Sequence, residues 1–218
     1  MRTIVHIGLA VVAVALMSSL VTAEDKPAAG EAKQAAEKQA AGEKITPEQM
    51  MAAMQKYGTP GKEHEAMKPM VGTFDAEVTM QMDPTSPPMT SKGQTVNEMI
   101  FDGRYLKSDY KGDFAGAPFK GINLLGFDKM KEKYVALWAD SMSTAMMLSE
   151  GPGDGSKMIT LSGSYDCPIT NGKKTMKQVV TVESPDKHTI EMYDVGPDGK
   201  EFKSMTIKYT RARAVPVP

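Results

Sequence analysis

The sequence has few residues that could hold a fold together covalently or carry out redox chemistry. It contains a single cysteine, Cys167, among 218 residues. One cysteine excludes an intramolecular disulfide, so the fold must be held by its apolar core. We interpret Cys167 itself as a small buried apolar residue.

An excess of charge of one sign is also missing. The chain has 26 basic and 27 acidic residues and a formal net charge of −1. Nucleic-acid-binding proteins usually carry a basic patch or stripe, and no such stripe is present. The sequence therefore predicts no nucleic-acid partner.

Recognisable catalytic motifs are absent as well. There is no G-x-S-x-G elbow, no H-E-x-x-H pair and no glycine-rich loop before a helix. After residue 23 only His64 and His188 remain as histidines, and no pair of carboxylates stands out from the solvated faces. We expect His64 to cap or pack against one end of the domain and His188 to be exposed. The sequence thus predicts no catalytic residue, no bound metal and no cofactor, with a hydrolase of dispersed residues as the alternative.

The one long apolar run lies at the N-terminus. Met1 and Arg2 form a short positively charged region, and a mainly apolar region follows over residues 4–17. Val21, Thr22 and Ala23 then provide the small residues that a signal peptidase recognises. The run is shorter than the roughly 20 residues that a membrane helix needs. We expect residues 1–23 to be a signal peptide cleaved between Ala23 and Glu24, which predicts a periplasmic or secreted protein. After its removal no membrane span is expected. An uncleaved membrane anchor is the alternative.

Two further segments precede the main domain. Residues 24–44 consist of alanine, glutamate, lysine, glutamine and glycine without an apolar stripe, which indicates a disordered or partly helical spacer. Residues 45–70 carry helix signals. Thr46 can cap a helix that begins with Pro47, and Met50, Met54 and Tyr57 fall on one face. We expect this helix, and a second one over residues 61–68, to pack on the domain or over one of its openings.

From residue 71 the apolar period changes from 3.6 to 2, which is typical of half-buried strands. Short alternating runs are separated by glycine, proline, asparagine and aspartate turns. Strands are predicted over residues 73–82, 94–101, 104–111, 122–127, 134–140, 144–149, 157–165, 175–183, 189–195 and 201–211. Residues 71–212 therefore form an all-β domain, and about ten short strands without intervening helices favour an antiparallel barrel. A two-sheet sandwich is the alternative.

One predicted pair of strands defines candidate inward positions. Asp102-Gly103 predicts a two-residue hairpin turn that pairs Met99 with Leu106. In this register Met99, Phe101, Leu106 and Tyr110 share the apolar face, and Arg104 lies beside the turn on that face. Its guanidinium either reaches water or fixes the carboxylate of a lipid-like ligand at the mouth.

The strand over residues 134–140 contains Trp138, the only tryptophan, and its inward face is ambiguous. Alternation puts Tyr134, Ala136, Trp138 and Asp140 on one side, whereas the other side is slightly more apolar. We choose the first side, because tryptophan buries the largest apolar area and its indole N–H needs a partner. Tyr134 and Asp140 could supply one.

Methionine is unusually abundant. Of 19 methionines, 17 remain after the predicted signal peptide. Thioethers bind Cu(I), but they also fill cores and line cavities as soft side chains. We favour the lining interpretation, because Met80 and Met82 lie on the apolar face of their predicted strand.

The order and spacing of short motifs resemble a bacterial family catalogued as domain of unknown function 1579. The residues that carry the resemblance are Lys62-Glu63-His64, Val71-Gly72-Thr73-Phe74, Asp102-Gly103-Arg104-Tyr105-Leu106, Pro118-Phe119-Lys120-Gly121, Gly126-Phe127-Asp128, Trp138-Ala139-Asp140-Ser141, Ser143-Thr144, Glu150-Gly151, Pro197-Asp198-Gly199 and Tyr209-Thr210-Arg211. The resemblance implies a lipocalin-like barrel preceded by a short helix, with no established activity. Phe74 stands where this family often has tryptophan, which could alter one end of a cavity.

Three classes of function follow from these observations. The first is a carrier or sensor that binds a small apolar or amphipathic molecule in the barrel, and it is the one we favour. The second is a structural or interaction domain with a filled core, and the third is the hydrolase. The oligomeric state is not predicted. The candidate ligand-binding residues are Trp138, Tyr134, Asp140, Arg104, Tyr110, Met99 and Phe74.

Overall fold

The structure is a computed structural model that describes residues 45–153, 155–167, 171–196 and 198–213. The predicted signal peptide (1–23) and spacer (24–44) lie outside the described residues. The helices and strands belong to one compact unit that begins at Pro47.

Two short helices and one 3₁₀ turn precede ten strands. The helices are α1 (Pro47–Gly58) and α2 (Lys62–Glu65), followed by the 3₁₀ turn Lys68–Met70. The strands are β1 (Gly72–Met80), β2 (Met89–Ile100), β3 (Tyr105–Phe114), β4 (Ala117–Asp128), β5 (Lys133–Asp140), β6 (Met147–Pro152), β7 (Met158–Cys167), β8 (Gly172–Ser184), β9 (Lys187–Val195) and β10 (Glu201–Arg211).

The strands form a closed antiparallel barrel. Each strand pairs with the next one along the chain, and β1 pairs with β10 to close the sheet. The predicted all-β barrel of about ten strands is thus confirmed, and the sandwich alternative is wrong. Closure leaves no free edge between the strands and gives every strand an inner and an outer face.

Alternation along β1 shows how the sequence produces these faces. Phe74 and Ala76 are buried, whereas Asp75 and Glu77 between them are exposed. Charged side chains thus stay in water while apolar ones point into the barrel.

The hairpin between β2 and β3 has the predicted register but a longer turn. Met99 pairs with Leu106, as expected, and Ile100 pairs with Tyr105. The prediction of a two-residue turn is wrong, because Phe101 and Arg104 also adopt turn conformations and Arg104 N donates to Ile100 O at 3.2 Å. Phe101 consequently leaves the apolar face and is 69% exposed.

Gly103 is the position in this turn where the backbone requires glycine. Its φ is +84°, and a Cβ placed there would meet nothing within 4 Å. We expect Gly103→Val to lower the free energy of unfolding by roughly 1–3 kcal/mol through backbone strain alone. Gly103→Asn should cost less, because asparagine tolerates the left-handed region. Urea unfolding of both variants checks this expectation, and equal losses would contradict it.

The predicted packing of the first helix is wrong. No residue of α1 is buried, and Met50, Met54 and Tyr57 are between 40% and 62% exposed. The helix is held near the barrel by the Lys129 ammonium, which donates to Lys56 O at 2.6 Å and Thr59 O at 3.1 Å. Within the described part of the chain, no helix has the length and apolar character that a membrane crossing requires.

The second predicted helix is shorter than expected but closes one end of the barrel. His64, Met67 and Met70 are at most 4% exposed, and both methionines belong to the core formed with Leu106, Tyr134 and other inward residues. Asn97 Nδ2 donates to Met70 O at 2.8 Å, and Thr95 Oγ1 donates to Asn97 Oδ1 at 2.7 Å. These buried hydrogen bonds hold the segment against the inner wall of the barrel. We call the end of the barrel that this segment covers the closed end.

Candidate ligand-binding cavity

The barrel interior holds a cavity of about 900 Å³. It runs from Met70 at the closed end to the opposite end, where β1–β2, β3–β4 and β5–β6 are connected. We call this opposite end the mouth. Its wall is mostly apolar and includes residues of all ten strands.

Glycines on the inner face let two aromatic rings lie flat against the wall. A Cβ on Gly121 would lie 2.3 Å from the Trp138 ring, and a Cβ on Gly93 would lie 2.2 Å from the Tyr110 hydroxyl. Gly112, which pairs with Gly93, makes the same room for Tyr110. The rings cover neighbouring backbone instead of crossing the barrel, which is consistent with the space left at its centre.

Trp138 is fixed in the wall by contacts on two sides. Its Nε1 donates to Asp140 Oδ2 at 2.8 Å, and its ring stacks on Phe119 with 6.3 Å between centroids. The other carboxylate oxygen of Asp140 accepts hydrogen bonds from the backbone N–H groups of Met142 and Ser143 at 2.9 and 3.1 Å. The indole is therefore held in one orientation while it faces the cavity.

His188 is a buried titratable group in the cavity lining. It is 4% exposed, stacks on Tyr209 at 4.4 Å and meets the Phe74 ring edge-to-face at 4.6 Å. Burial, with a smaller contribution from the Arg211 guanidinium, lowers the pKa of His188 to about 4, and Glu183 opposes the shift. The imidazole is therefore neutral at pH 7 and contributes one donor and one acceptor.

Two tyrosine hydroxyls accompany this imidazole. Tyr110 and Tyr209 line the cavity, and burial raises the pKa of both phenols. Among the described residues, neither hydroxyl and neither nitrogen of His188 has a hydrogen-bond partner, and none of these atoms is among the fully buried unsatisfied ones. Three neutral polar groups thus face the cavity and are available to a ligand.

The charged side chains of the described lining are all acidic. Asp113 and Asp140 are its carboxylates, and no lysine or arginine belongs to the described lining. A desolvated anion needs a cation or several donors nearby. The cavity consequently lacks a counter-ion for an acidic ligand.

The structure brings three of the seven predicted site residues into the cavity wall, namely Trp138, Asp140 and Tyr110. Tyr134 has the predicted inward orientation but packs against the closing segment, where its hydroxyl donates to Glu63 O at 2.8 Å. It does not line the cavity.

Phe74, Met99 and Arg104 also lie outside the lining. Phe74 is fully buried beneath His188, and the Arg211 guanidinium lies 4.5 Å from its ring centroid. Met99 packs in the core at the closed end. Arg104 Nη1 donates to Phe101 O at 2.8 Å within its own turn, so the suggested contact with a ligand carboxylate at the mouth is wrong. The reason is that this turn lies at the closed end.

Sequence reasoning missed His188 and Tyr209. His188 was expected to be exposed, but β9 begins at Lys187 rather than 189, so His188, Ile190 and Met192 alternate inward together. That alternation was the available signal. His64 is buried in the segment that closes the barrel, as expected for a residue that packs against one end of the domain. Its Nδ1 accepts a hydrogen bond from Gly61 N at 3.0 Å, and burial lowers its pKa.

One solved structure is similar enough to this chain to support the fold. A solved structure, Rv2717c from M. tuberculosis, is similar with a TM-score of 0.53 at 12% identity, covering 71% of this chain and 100% of that one. The S-type phycobiliprotein lyase CPES from Guillardia theta has a TM-score of 0.49 at 11% identity, with 69% and 93% covered. None of the curated proteins matches the sequence significantly. A family model matches residues 59–211, which comprise every strand of the barrel, and the chain therefore belongs to the family described as protein of unknown function (DUF1579).

Proposed function

We propose that this protein binds a small, uncharged apolar or amphipathic molecule inside its barrel and acts as a carrier or sensor. The observation that carries the proposal is the mostly apolar cavity of about 900 Å³ that is open at one end. Known small-molecule sites occupy about 300–1,000 Å³ and combine apolar walls with a few convergent polar groups. The filled-core alternative leaves such a space unexplained.

The polar groups of the cavity favour an uncharged ligand. Neutral His188 and the hydroxyls of Tyr110 and Tyr209 can donate to or accept from a hydroxyl or carbonyl group. An acidic head group would instead be desolvated without a cation and would pass Asp113 and Asp140 at the mouth. We therefore infer that alcohols or carbonyl compounds bind better than fatty acids of the same chain length.

Export forms the second part of the proposal. The N-terminal pattern supports cleavage between Ala23 and Glu24 and a periplasmic or secreted location. Native mass spectrometry of protein purified from the cell envelope measures both parts together. We expect a chain that starts at Glu24 and an additional mass that solvent extraction removes. A chain that retains residues 1–23 would contradict export.

The direct binding test is a titration of Trp138 fluorescence, since this is the only tryptophan. Oleyl alcohol should change the emission and saturate, whereas oleate should bind more weakly. Ser108 lies on β3 and lines the cavity, so the larger side chain of Ser108→Phe should occupy part of the cavity and weaken oleyl alcohol binding. Ser162→Phe is the matched control. Ser162 follows the inward residue Leu161 on β7, is exposed and therefore points outward.

The outcomes separate the alternatives clearly. Saturable binding that Ser108→Phe reduces and Ser162→Phe leaves unchanged supports the cavity as the site. Equal binding by both variants would place the ligand elsewhere, and no response to any amphipathic molecule would contradict the proposal. Tighter binding of oleate than of oleyl alcohol would contradict the preference for uncharged ligands.

A further inference from the structure

Four methionines from four neighbouring strands lie side by side at the mouth of the barrel. Met89 on β2 pairs with Met80 on β1, Met80 pairs with Met205 on β10, and Met205 pairs with Met192 on β9. All four line the cavity. We call this set the methionine row.

We propose that the methionine row is a binding site for a soft monovalent metal ion, Cu(I) or Ag(I), coordinated by thioether sulfurs. Thioethers are soft ligands that select Cu(I) over harder cations. This inference concerns a site at the mouth and does not depend on the proposed ligand.

The geometry of the barrel allows the sulfurs to converge. Directly paired residues in antiparallel strands have Cβ atoms about 4.5–5.5 Å apart. Because the inner surface of a barrel is concave, neighbouring inward side chains approach one another toward the centre. Methionine is unbranched and has three rotatable bonds, so its sulfur can adjust to a common centre.

The surroundings of the row fit a cation. Met80, Met192 and Met205 are half-buried and Met89 is 41% exposed, so the row is reachable from solvent. The cavity carries Asp113 and Asp140 and no lysine or arginine in its described lining, which favours the entry of a positive ion.

In the part of the chain that the structure describes, harder metals have no comparable site. Among the described residues, no group of three histidine, cysteine, aspartate or glutamate side chains is placed to hold a metal ion. Zinc would require such ligands. The row is therefore expected to discriminate in favour of Cu(I) and Ag(I) and against Zn²⁺.

The test is a competition between the full exported protein and the chromophoric Cu(I) chelator bathocuproine disulfonate, with ascorbate keeping copper reduced. We expect an equimolar amount of Cu(I) to bind with saturation. The double variant Met80→Leu/Met205→Leu should lower the Cu(I) affinity by at least about tenfold. Leucine is a volume-conserving replacement, so this variant should fold, which circular dichroism and urea unfolding check.

The control is Met130→Leu/Met158→Leu, two methionines that are 73% and 57% exposed and lie away from the mouth. This variant should bind Cu(I) as the parent protein does. Equal loss of affinity in both double variants would overturn the proposal, because it would indicate scattered surface binding. Loss of binding in Cys167→Ser would overturn it too, since the thiol would then be the ligand, and so would the absence of saturable Cu(I) binding in the parent protein.

Discussion

Replacing Tyr134 with alanine is expected to lower the free energy of unfolding by about 3–5 kcal/mol, the range for truncating a fully buried aromatic residue. Tyr134 is 0% exposed and meets the Phe127 ring edge-to-face at 5.1 Å. Its hydroxyl also binds Glu63 O, so it fastens the closing segment to β5. Urea unfolding monitored by circular dichroism measures the loss.

Two further tyrosine variants show whether burial causes this effect. Tyr134→Phe removes the hydroxyl alone and should cost about 1 kcal/mol, the usual net contribution of one hydrogen bond. Tyr105→Ala removes a tyrosine that is 39% exposed and should cost less than Tyr134→Ala. If Tyr105→Ala were as destabilising as Tyr134→Ala, the closed end would not be the stabilising core that we describe.

The second large effect concerns acid. Because the pKa of His188 is lowered from 6.5 to about 4, the unfolded chain binds a proton below pH 6.5 that the folded barrel excludes. Proton binding to the unfolded state therefore lowers the free energy of unfolding as the pH falls from 6.5 to about 4. Above pH 6.5 the imidazole is neutral in both states and this loss is absent. We expect a loss of about 2 kcal/mol between pH 7 and pH 4.5 from this residue.

His188→Phe isolates this contribution. Phenylalanine can keep the stacking on Tyr209 but cannot titrate, so stability between pH 7 and pH 4.5 should vary much less. The charged groups that act on the imidazole are Arg211 on β10, which lowers its pKa, and Glu183 on β8, which raises it, and the neutral phenol of Tyr209 stacks on it. His64→Phe serves as the control and should retain most of the loss, although burial lowers the pKa of His64 in the same direction. An unchanged pH profile in His188→Phe would show that His188 is not the group responsible.

The strand pattern could be predicted from the sequence, because every strand of an antiparallel barrel alternates between residues that face the interior and residues that face water. Alternation separated Phe74 and Ala76 from Asp75 and Glu77, and the Asp102-Gly103 turn indicated the register of Met99 and Leu106. These features depend on neighbours in the chain or across a short turn, so local chemistry was sufficient. The sandwich alternative remained open, because alternation is the same in both folds.

The orientation of the strand over residues 134–140 also followed from the sequence, but only through the indole. Trp138 needed a hydrogen-bond partner, and Asp140 provides it at 2.8 Å. The helix pattern was less informative. Met50 and Met54 form an apolar stripe in sequence, yet α1 remains exposed because the shorter segment around Met67 and Met70 already closes the barrel.

The sequence by itself determined the all-β class, the approximate number of strands and the inward face of β1, β2, β3 and β5, since alternation of apolar and polar residues is visible in each strand. Only the tertiary structure decided whether the interior is empty and which residues meet there. Closure brings Met80 on β1 beside Met205 on β10, although no local pattern encodes the adjacency of these two strands. The cavity, in turn, depends on barrel diameter and on glycines beneath Trp138 and Tyr110, because both strand number and ring orientation determine how much space side chains fill.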